Sequence, residues 1–123
     1  MVDPRDRYRD AALEFLGETS RPVAVLDLTL YEIANAVGVK RGSLEGAHSM
    51  VELVISRSQG RVLGVDPNAI SLALELAAEH GLTAYDAAYV AAAKRHGMTL
   101  VSTDVADLVS KGLALTPDAA VYP

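Results

Sequence analysis

Apolar and polar positions follow two different periods along this chain. Apolar residues spaced three to four positions apart predict five amphipathic helices. Four of them cover 6–18, 45–58, Asp66 to about His80, and Thr83 to His96. The remaining helix begins near Thr29 and ends either at Gly38 or in the 40–42 segment. Short apolar runs predict buried strands at 23–26, 61–65 and 98–101. A short helix near 105–110 and a last strand near 113–115 complete the prediction. In the helix over 45–58, we expect Met50, Leu53 and Val54 to face inward.

The strands and helices alternate, which is typical of βαβ units with parallel strands. We therefore predict an α/β fold, a three-layer α/β/α arrangement around a parallel sheet. No repeat, linker or low-complexity tract interrupts the pattern, so residues 1–123 are expected to form a single domain. In such folds, ligands bind at the carboxyl ends of the strands.

Composition narrows the possible chemistry. The chain has no cysteine, which excludes disulfides and thiolate metal sites and leaves oxygen-rich sites for hard cations such as Mg²⁺ or Mn²⁺. A net charge of −5 argues against a broad phosphate-neutralising surface, but an enzyme can also reach phosphate through bound cations. No apolar run approaches the roughly 20 residues of a membrane span, and the charged N-terminus has no signal-peptide core, so we expect a cytoplasmic protein that does not enter membranes.

Three acidic residues lie where the predicted sheet would bring them together. Glu32 and Asp86 are placed in the first turns of two predicted helices, and Asp104 directly follows the strand at 98–101. Helix starts and strand ends share one edge of a parallel sheet, and Asp107 lies one turn after Asp104. Carboxylates gathered in this way repel one another until a divalent cation binds. Such a cation can activate water for phosphodiester hydrolysis.

Each of these acids also has a purely structural interpretation. Thr29 and Glu32 have the spacing of a capping box, and so do Thr83 and Asp86. Asp104 fits the N-cap of the following short helix. Spacing alone favours the capping interpretation for any single acid, and only the conjunction of three favours a metal site. Among the remaining side chains, Tyr85 and Tyr89 are expected to pack rather than to stack on bases, and His48 and His80 to be structural or surface residues. The cations at 94–96 suit the end of a helix. The arginines at 5, 7 and 9 fit RNA contact and a solvated helix face equally well.

Three segments around these acids resemble the motifs of the PIN-domain family, in particular its VapC-like toxins. They are LTLYEIANAV at 28–37, centred on Glu32 with Asn35 after it; LTAYDAAYVAAA at 82–93, centred on Asp86; and LVSTDVADL at 100–108, centred on Asp104 with Thr103 before it. The resemblance covers about residues 8–115. It implies a PIN-like fold and a ribonuclease that uses Mg²⁺ or Mn²⁺, with Glu32, Asp86, Asp104 and Asp107 as metal ligands and Asn35 and Thr103 as supporting polar groups. It also implies an RNA substrate, a homodimer and a cognate antitoxin protein.

The beginning of the chain departs from the family pattern. The family opens with an apolar strand that carries its first acid, whereas Asp3 is the only early candidate here and precedes Pro4 without such a strand. We expect a chain that lacks the usual start, in which a partner chain, a swapped element or a rearranged sheet fills the gap.

Two hypotheses on function follow from these observations. The first is a metal-dependent endoribonuclease that acts as the toxin of a toxin–antitoxin pair. The second, motivated by the missing early acid, is a catalytically inactive PIN-like module that binds a partner protein. A receiver-like phosphoacceptor domain is a weaker third idea, because Lys111 is poorly placed for the lysine that such a domain needs.

Overall fold

The computed structural model describes residues 22–64, 66–102 and 104–121, together with Glu14 and Gly17. The described residues divide into two compact units, which we call the N-terminal unit (22–64) and the C-terminal unit (66–121, to which Glu14 and Gly17 also belong). The helix predicted over 6–18 and the early candidate Asp3 lie outside the described residues, except that Glu14 and Gly17 are helical. No helix in the part of the chain that the structure describes has the length and apolarity needed to cross a membrane.

The N-terminal unit is built on a short parallel strand pair. Strand β1 (Val25–Leu26) lies in the run predicted at 23–26, and strand β2 (Val62–Leu63) lies in the run predicted at 61–65. Val25 pairs with Val62 and Leu26 with Leu63, in parallel register. The predicted strands and their parallel direction are therefore confirmed, although each strand is only two residues long.

Helix α1 (Asp27–Ile33) follows β1 without a loop and continues as a π-helical segment (Ala34–Lys40). The predicted start near Thr29 is therefore wrong, because the helix begins directly from the strand at Leu26, which supplies no side-chain cap. Of the two predicted ends, the later one is confirmed. The helical backbone passes through the buried Gly38 and stops at Arg41, after which Gly42 adopts a positive φ of 69°.

Helix α2 (Leu44–Ser58) begins at the N-cap Ser43, whose Oγ accepts a 3.0 Å hydrogen bond from the Gly46 amide. Its buried face consists of Ala47, Val54 and Ser58. The prediction that Val54 faces inward is confirmed, but Met50 and Leu53 are 39% and 45% exposed. Leu53 is turned about 100° around the helix axis from Val54, which carries its side chain off the buried face.

The C-terminal unit begins with an aspartate cap. The Asp66 carboxylate accepts a 2.9 Å hydrogen bond from the Asn68 amide at a 3₁₀ turn (Pro67–Ala69), which leads into helix α3 (Ile70–His80). Gly81 ends this helix with a left-handed φ of 66°. Helix α4 (Ala84–Arg95) then starts at the N-cap Thr83. Both helices were predicted with these stop and start signals, and the prediction is confirmed.

Small apolar side chains join α3 and α4 in the core of the C-terminal unit. The buried core residues are Leu76 from α3, Ala87, Val90 and Ala91 from α4, and Leu108 and Ala114 from the segment beyond. Alanines at the contact allow the two helix backbones to approach closely, since there is little side-chain volume to hold them apart. This packing fixes the N-terminus of α4, where Asp86 lies.

The chain beyond α4 forms less regular structure than predicted. The strand expected at 98–101 is reduced to one parallel bridge between Val101 and Leu115. A π-helical segment (Val105–Val109) confirms the helix predicted near 105–110. The prediction that a strand at 113–115 ends the chain is wrong, since helix α5 (Pro117–Val121) follows it. Parallel pairing and alternating helices in both units confirm the α/β class.

Candidate metal centre

Asp86 is positioned by the cap of helix α4. It is the third residue of the first turn, and its backbone N–H donates a 3.1 Å hydrogen bond to Oγ1 of the N-cap Thr83. This bond is one half of the predicted capping box, and it uses the amide of Asp86. The Asp86 side chain is partly buried.

Asp104 is held between two local hydrogen bonds just after the parallel bridge at Val101. Its N–H donates to the Ser102 Oγ at 3.0 Å, and its Oδ1 accepts a 3.0 Å bond from the Asp107 amide. Asp104 is therefore a cap of the π-helical segment, as its structural interpretation predicted. One of its two carboxylate oxygens makes this capping bond, and the cap also brings Asp107 alongside.

The structure brings Asp86, Asp104 and Asp107 together. Each offers a carboxylate oxygen, and these three atoms all lie within 4.8 Å of one another. Asp86 and Asp104 are partly buried, and Asp107 is exposed. The predicted convergence of a helix start with a strand end therefore occurs in the C-terminal unit, and Asp107 joins from one turn further along.

The three carboxylates affect one another electrostatically. Burial raises the pKa of Asp86, and the charges of Asp104 and Asp107 raise it further, against smaller lowering effects of a hydrogen bond with Thr83 and the charge of Lys111. The ammonium group of Lys111 donates a 2.6 Å hydrogen bond to the backbone carbonyl of His80, at the end of α3. The folded chain therefore holds a concentration of negative charge that a cation would relieve.

The donor set suits a hard divalent cation. All three candidate ligand atoms are carboxylate oxygens, the ligands that Mg²⁺ and Mn²⁺ prefer. Oxygens on opposite sides of a Mg²⁺ ion are about 4.2 Å apart, twice the usual Mg–O distance. The oxygens here lie within 4.8 Å of one another, so a single cation would draw them closer together, and water can fill the remaining positions.

Glu32 and Asn35 belong to the N-terminal unit. The predicted capping box at Thr29 is wrong, because α1 begins at Asp27 and places Glu32 in its second turn. The Glu32 side chain is exposed, as is Asn35 in the π-helical segment. The role of Glu32 as a metal ligand and that of Asn35 as a supporting polar group stay predictions. Thr103 lies outside the described residues.

One residue next to the acids in the sequence was misjudged, and one contact was not anticipated. Tyr85 was expected to pack, yet its side chain is 69% exposed, because the buried face of α4 is formed by residues on the opposite side of the helix. Tyr89 is partly buried. Lys111 was considered only for a receiver-like site, and its contact with His80 joins residues 31 positions apart, which no local pattern signals.

Comparisons with known proteins agree with these observations. The profile of the family described as PIN domain matches residues 4–108. Ribonuclease VapC3 of Pyrobaculum aerophilum is 36% identical over 105 residues, covering 82% of this chain and 79% of that protein. Exonuclease VapC9 of the same organism is 36% identical over 84 residues, covering 67% of this chain, which spans only 62% of the length of VapC9.

A solved structure gives the same result for the fold. The crystal structure of PAE2754 from Pyrobaculum aerophilum superposes with a TM-score of 0.68 at 29% identity, covering 94% of this chain and 81% of that one. The α/β fold is therefore PIN-like, and the similarity to two VapC proteins agrees with the motifs around Glu32, Asp86 and Asp104. The chain belongs to the PIN domain family.

Proposed function

We propose that this chain is a metal-dependent ribonuclease of the VapC type, which uses Mg²⁺ or Mn²⁺ to hydrolyse RNA phosphodiesters internally. The observation that carries the proposal is the meeting of Asp86, Asp104 and Asp107 within 4.8 Å. The names of the relatives, a ribonuclease and an exonuclease, support the reaction class. They leave the choice between internal and terminal cleavage to experiment.

Asp86, Asp104 and Asp107 would hold the cation, with Glu32 as a further ligand and Asn35 and Thr103 as supporting polar groups. When bound, the cation would polarise the phosphodiester and lower the pKa of the attacking water. The chain's own contribution is to hold the acids in place before the cation arrives. The hydrogen bonds of Thr83 and Ser102 restrain the backbone at Asp86 and Asp104, which lowers the cost of assembling the site.

The same proposal covers the assembly of the protein. We propose that the two units form one PIN domain, because the family match at 4–108 runs through both. We further propose that the chain acts in the cytoplasm as the toxin of a toxin–antitoxin pair, and that it forms a homodimer and is inhibited by a cognate antitoxin. Exposed Met50 and Leu53 on α2 offer apolar surface for a protein partner. Light scattering of the purified chain, alone and with the antitoxin, measures both interactions.

Asparagine substitutions test the proposed reaction. We expect Asp86→Asn and Asp104→Asn each to abolish Mg²⁺-dependent RNA cleavage while circular dichroism shows an unchanged fold. Asp66→Asn is the matched control, because Asp66 also caps a helix of this unit but lies outside the acid cluster. Full activity in both cluster variants would refute the site.

A circular RNA separates internal from terminal cleavage, because it has no ends. Linearisation of the circle by the wild-type chain supports an endonuclease, whereas cleavage of linear RNA alone supports an exonuclease. If wild type binds Mn²⁺ but cuts neither RNA, the inactive partner-binding module becomes the better interpretation.

A further inference from the structure

Tyr85 presents an aromatic ring to solvent one residue before Asp86 of the acid cluster. It is the second residue of α4, and its neighbour in sequence is Asp86. Its side chain is 69% exposed, the largest exposure among the large hydrophobic residues of the described C-terminal unit. Burial of a tyrosine ring is ordinarily favourable, so an exposed ring at this position needs an explanation.

The packing of α4 leaves Tyr85 on the open side of the helix. The buried positions are Ala87, Val90 and Ala91, which form one continuous face against the core. Tyr85 precedes Ala87 by two residues, and this spacing turns its side chain about 160° away from that face. The fold therefore does not use this ring in its core, although it uses the neighbouring Asp86 in the cluster.

Charge offers little help in holding RNA beside the cluster. The chain has a net charge of −5, and three of its carboxylates lie together in the cluster. Two cations of the described C-terminal unit make contacts within the fold, since Arg95 pairs with Asp66 and Lys111 donates to the His80 carbonyl. Stacking of a base on an aromatic ring contributes to RNA binding without phosphate neutralisation.

We propose that Tyr85 is the base-stacking residue of this site, whose ring packs against an unpaired nucleobase next to the phosphodiester held at Asp86, Asp104 and Asp107. The inference rests on the proposed ribonuclease function and adds a substrate requirement to it. The RNA must present an unstacked base at this position, as single strands and loops do and as a continuous duplex does not.

Kinetics of RNA cleavage test the role of the ring. Stacking is worth about 1–3 kcal/mol per base, so Tyr85→Ala is expected to raise KM roughly 5- to 150-fold with kcat within about threefold of wild type. Tyr85→Phe and Tyr85→Trp keep an aromatic face and should restore KM. The matched control is Leu74→Ala, which shortens another exposed apolar side chain of the same unit, at 57% exposure. A wild-type KM in Tyr85→Ala would overturn the proposal while leaving the ribonuclease function intact.

A fluorescence measurement tests stacking without catalysis. The chain contains no tryptophan, so Tyr85→Trp introduces a single tryptophan, whose fluorescence can be excited selectively at this position. In EDTA, we expect a single-stranded RNA decamer to quench this fluorophore, an abasic decamer with the same phosphates to leave it unquenched, and the Leu74→Trp control to respond to neither.

The outcomes distinguish the proposal from the function on which it rests. Equal quenching by the two decamers, or none by either, would overturn the stacking role. Absence of RNA cleavage by wild type would instead remove the proposed function. A Tyr85→Ala variant that cuts RNA normally but no longer binds a partner protein would assign the ring to protein docking and overturn its assignment to RNA.

Discussion

Replacing Asp86 with asparagine should make the metal-free protein more stable, although the same change removes a proposed ligand. In the folded chain, Asp86 bears a charge near those of Asp104 and Asp107, with one oxygen of each within 4.8 Å of the others. Asparagine has almost the same shape and no charge. The substitution therefore isolates the electrostatic cost of the cluster, while the backbone bond from the residue 86 amide to Thr83 can persist.

The size of this effect follows from the separation of the charges. Two unit charges 4.8 Å apart repel by about 0.9 kcal/mol in water and about 3.5 kcal/mol at an effective dielectric constant of 20. Physiological salt reduces the value in water to roughly 0.5 kcal/mol per pair. Asp86 takes part in two such pairs, so the substitution should stabilise the fold by about 1 kcal/mol. For a chain of 123 residues, this corresponds to a rise in Tm of about 4 °C.

The pH dependence gives the same prediction a second test. Because burial and the neighbouring carboxylates raise the pKa of Asp86 above its ordinary 3.8, the folded state binds this proton more tightly than the unfolded state. The contribution of Asp86 to wild-type stability must then decrease as the pH rises from about 4 through the raised pKa. The advantage of Asp86→Asn over wild type should therefore vanish near pH 4 and be complete at neutral pH.

Thermal unfolding followed by circular dichroism measures these differences, in EDTA and in Mn²⁺. Mn²⁺ should raise the Tm of wild type and leave that of Asp86→Asn nearly unchanged. Asp66→Asn should change Tm in the opposite direction. A hydrogen bond from Arg95 lowers the pKa of Asp66, so the loss of the Asp66 charge should destabilise the fold at neutral pH. A Tm for Asp86→Asn below that of wild type in EDTA at neutral pH would refute the reasoning.

Three further substitutions probe local contacts. Asp104→Ala should lower the free energy of unfolding by about 1 kcal/mol relative to Asp104→Asn, because asparagine keeps an acceptor for the Asp107 amide. Both variants should lose Mn²⁺ binding. Urea unfolding measures the difference in stability, and Mn²⁺ titration measures the loss of binding. Gly46→Ala should lower Tm despite the helix propensity of alanine, because its Cβ would lie 2.6 Å from the Ser43 Oγ that caps α2. Lys111→Met should also lower Tm in a thermal melt, through loss of the bond to the carbonyl at the end of α3.

Local signals were sufficient to predict much of the C-terminal unit. The caps at Asp66 and Thr83 and the left-handed turn at Gly81 are each specified within a few neighbouring residues, and the structure contains all three. The strands were less predictable, because parallel pairing depends on residues far apart in sequence. The bridge between Val101 and Leu115 replaces what the apolar run suggested as a full strand.

The errors in the prediction have physical causes of the same kind. Thr29 resembles an N-cap in its local sequence, but α1 begins directly from strand β1, so the tertiary connection overrides the local signal. Tyr85 was expected to pack because aromatic residues usually do, but Ala87, Val90 and Ala91 already fill the buried face of α4. In both cases, the deciding information lies in which neighbours compete for the same position.

The sequence offered capping and metal binding as alternatives for each acid, but in this structure the two roles are compatible. The Asp86 amide donates to the cap residue Thr83, and Asp104 is itself a cap that accepts the Asp107 amide with one of its two carboxylate oxygens. Capping alone also fails to explain the electrostatics. Asp66, a cap outside the cluster, has a lowered pKa, because the Arg95 guanidinium and then the Asn68 amide donate hydrogen bonds to its carboxylate. Burial and the two neighbouring carboxylates instead raise the pKa of Asp86, an arrangement that costs stability until a cation neutralises it.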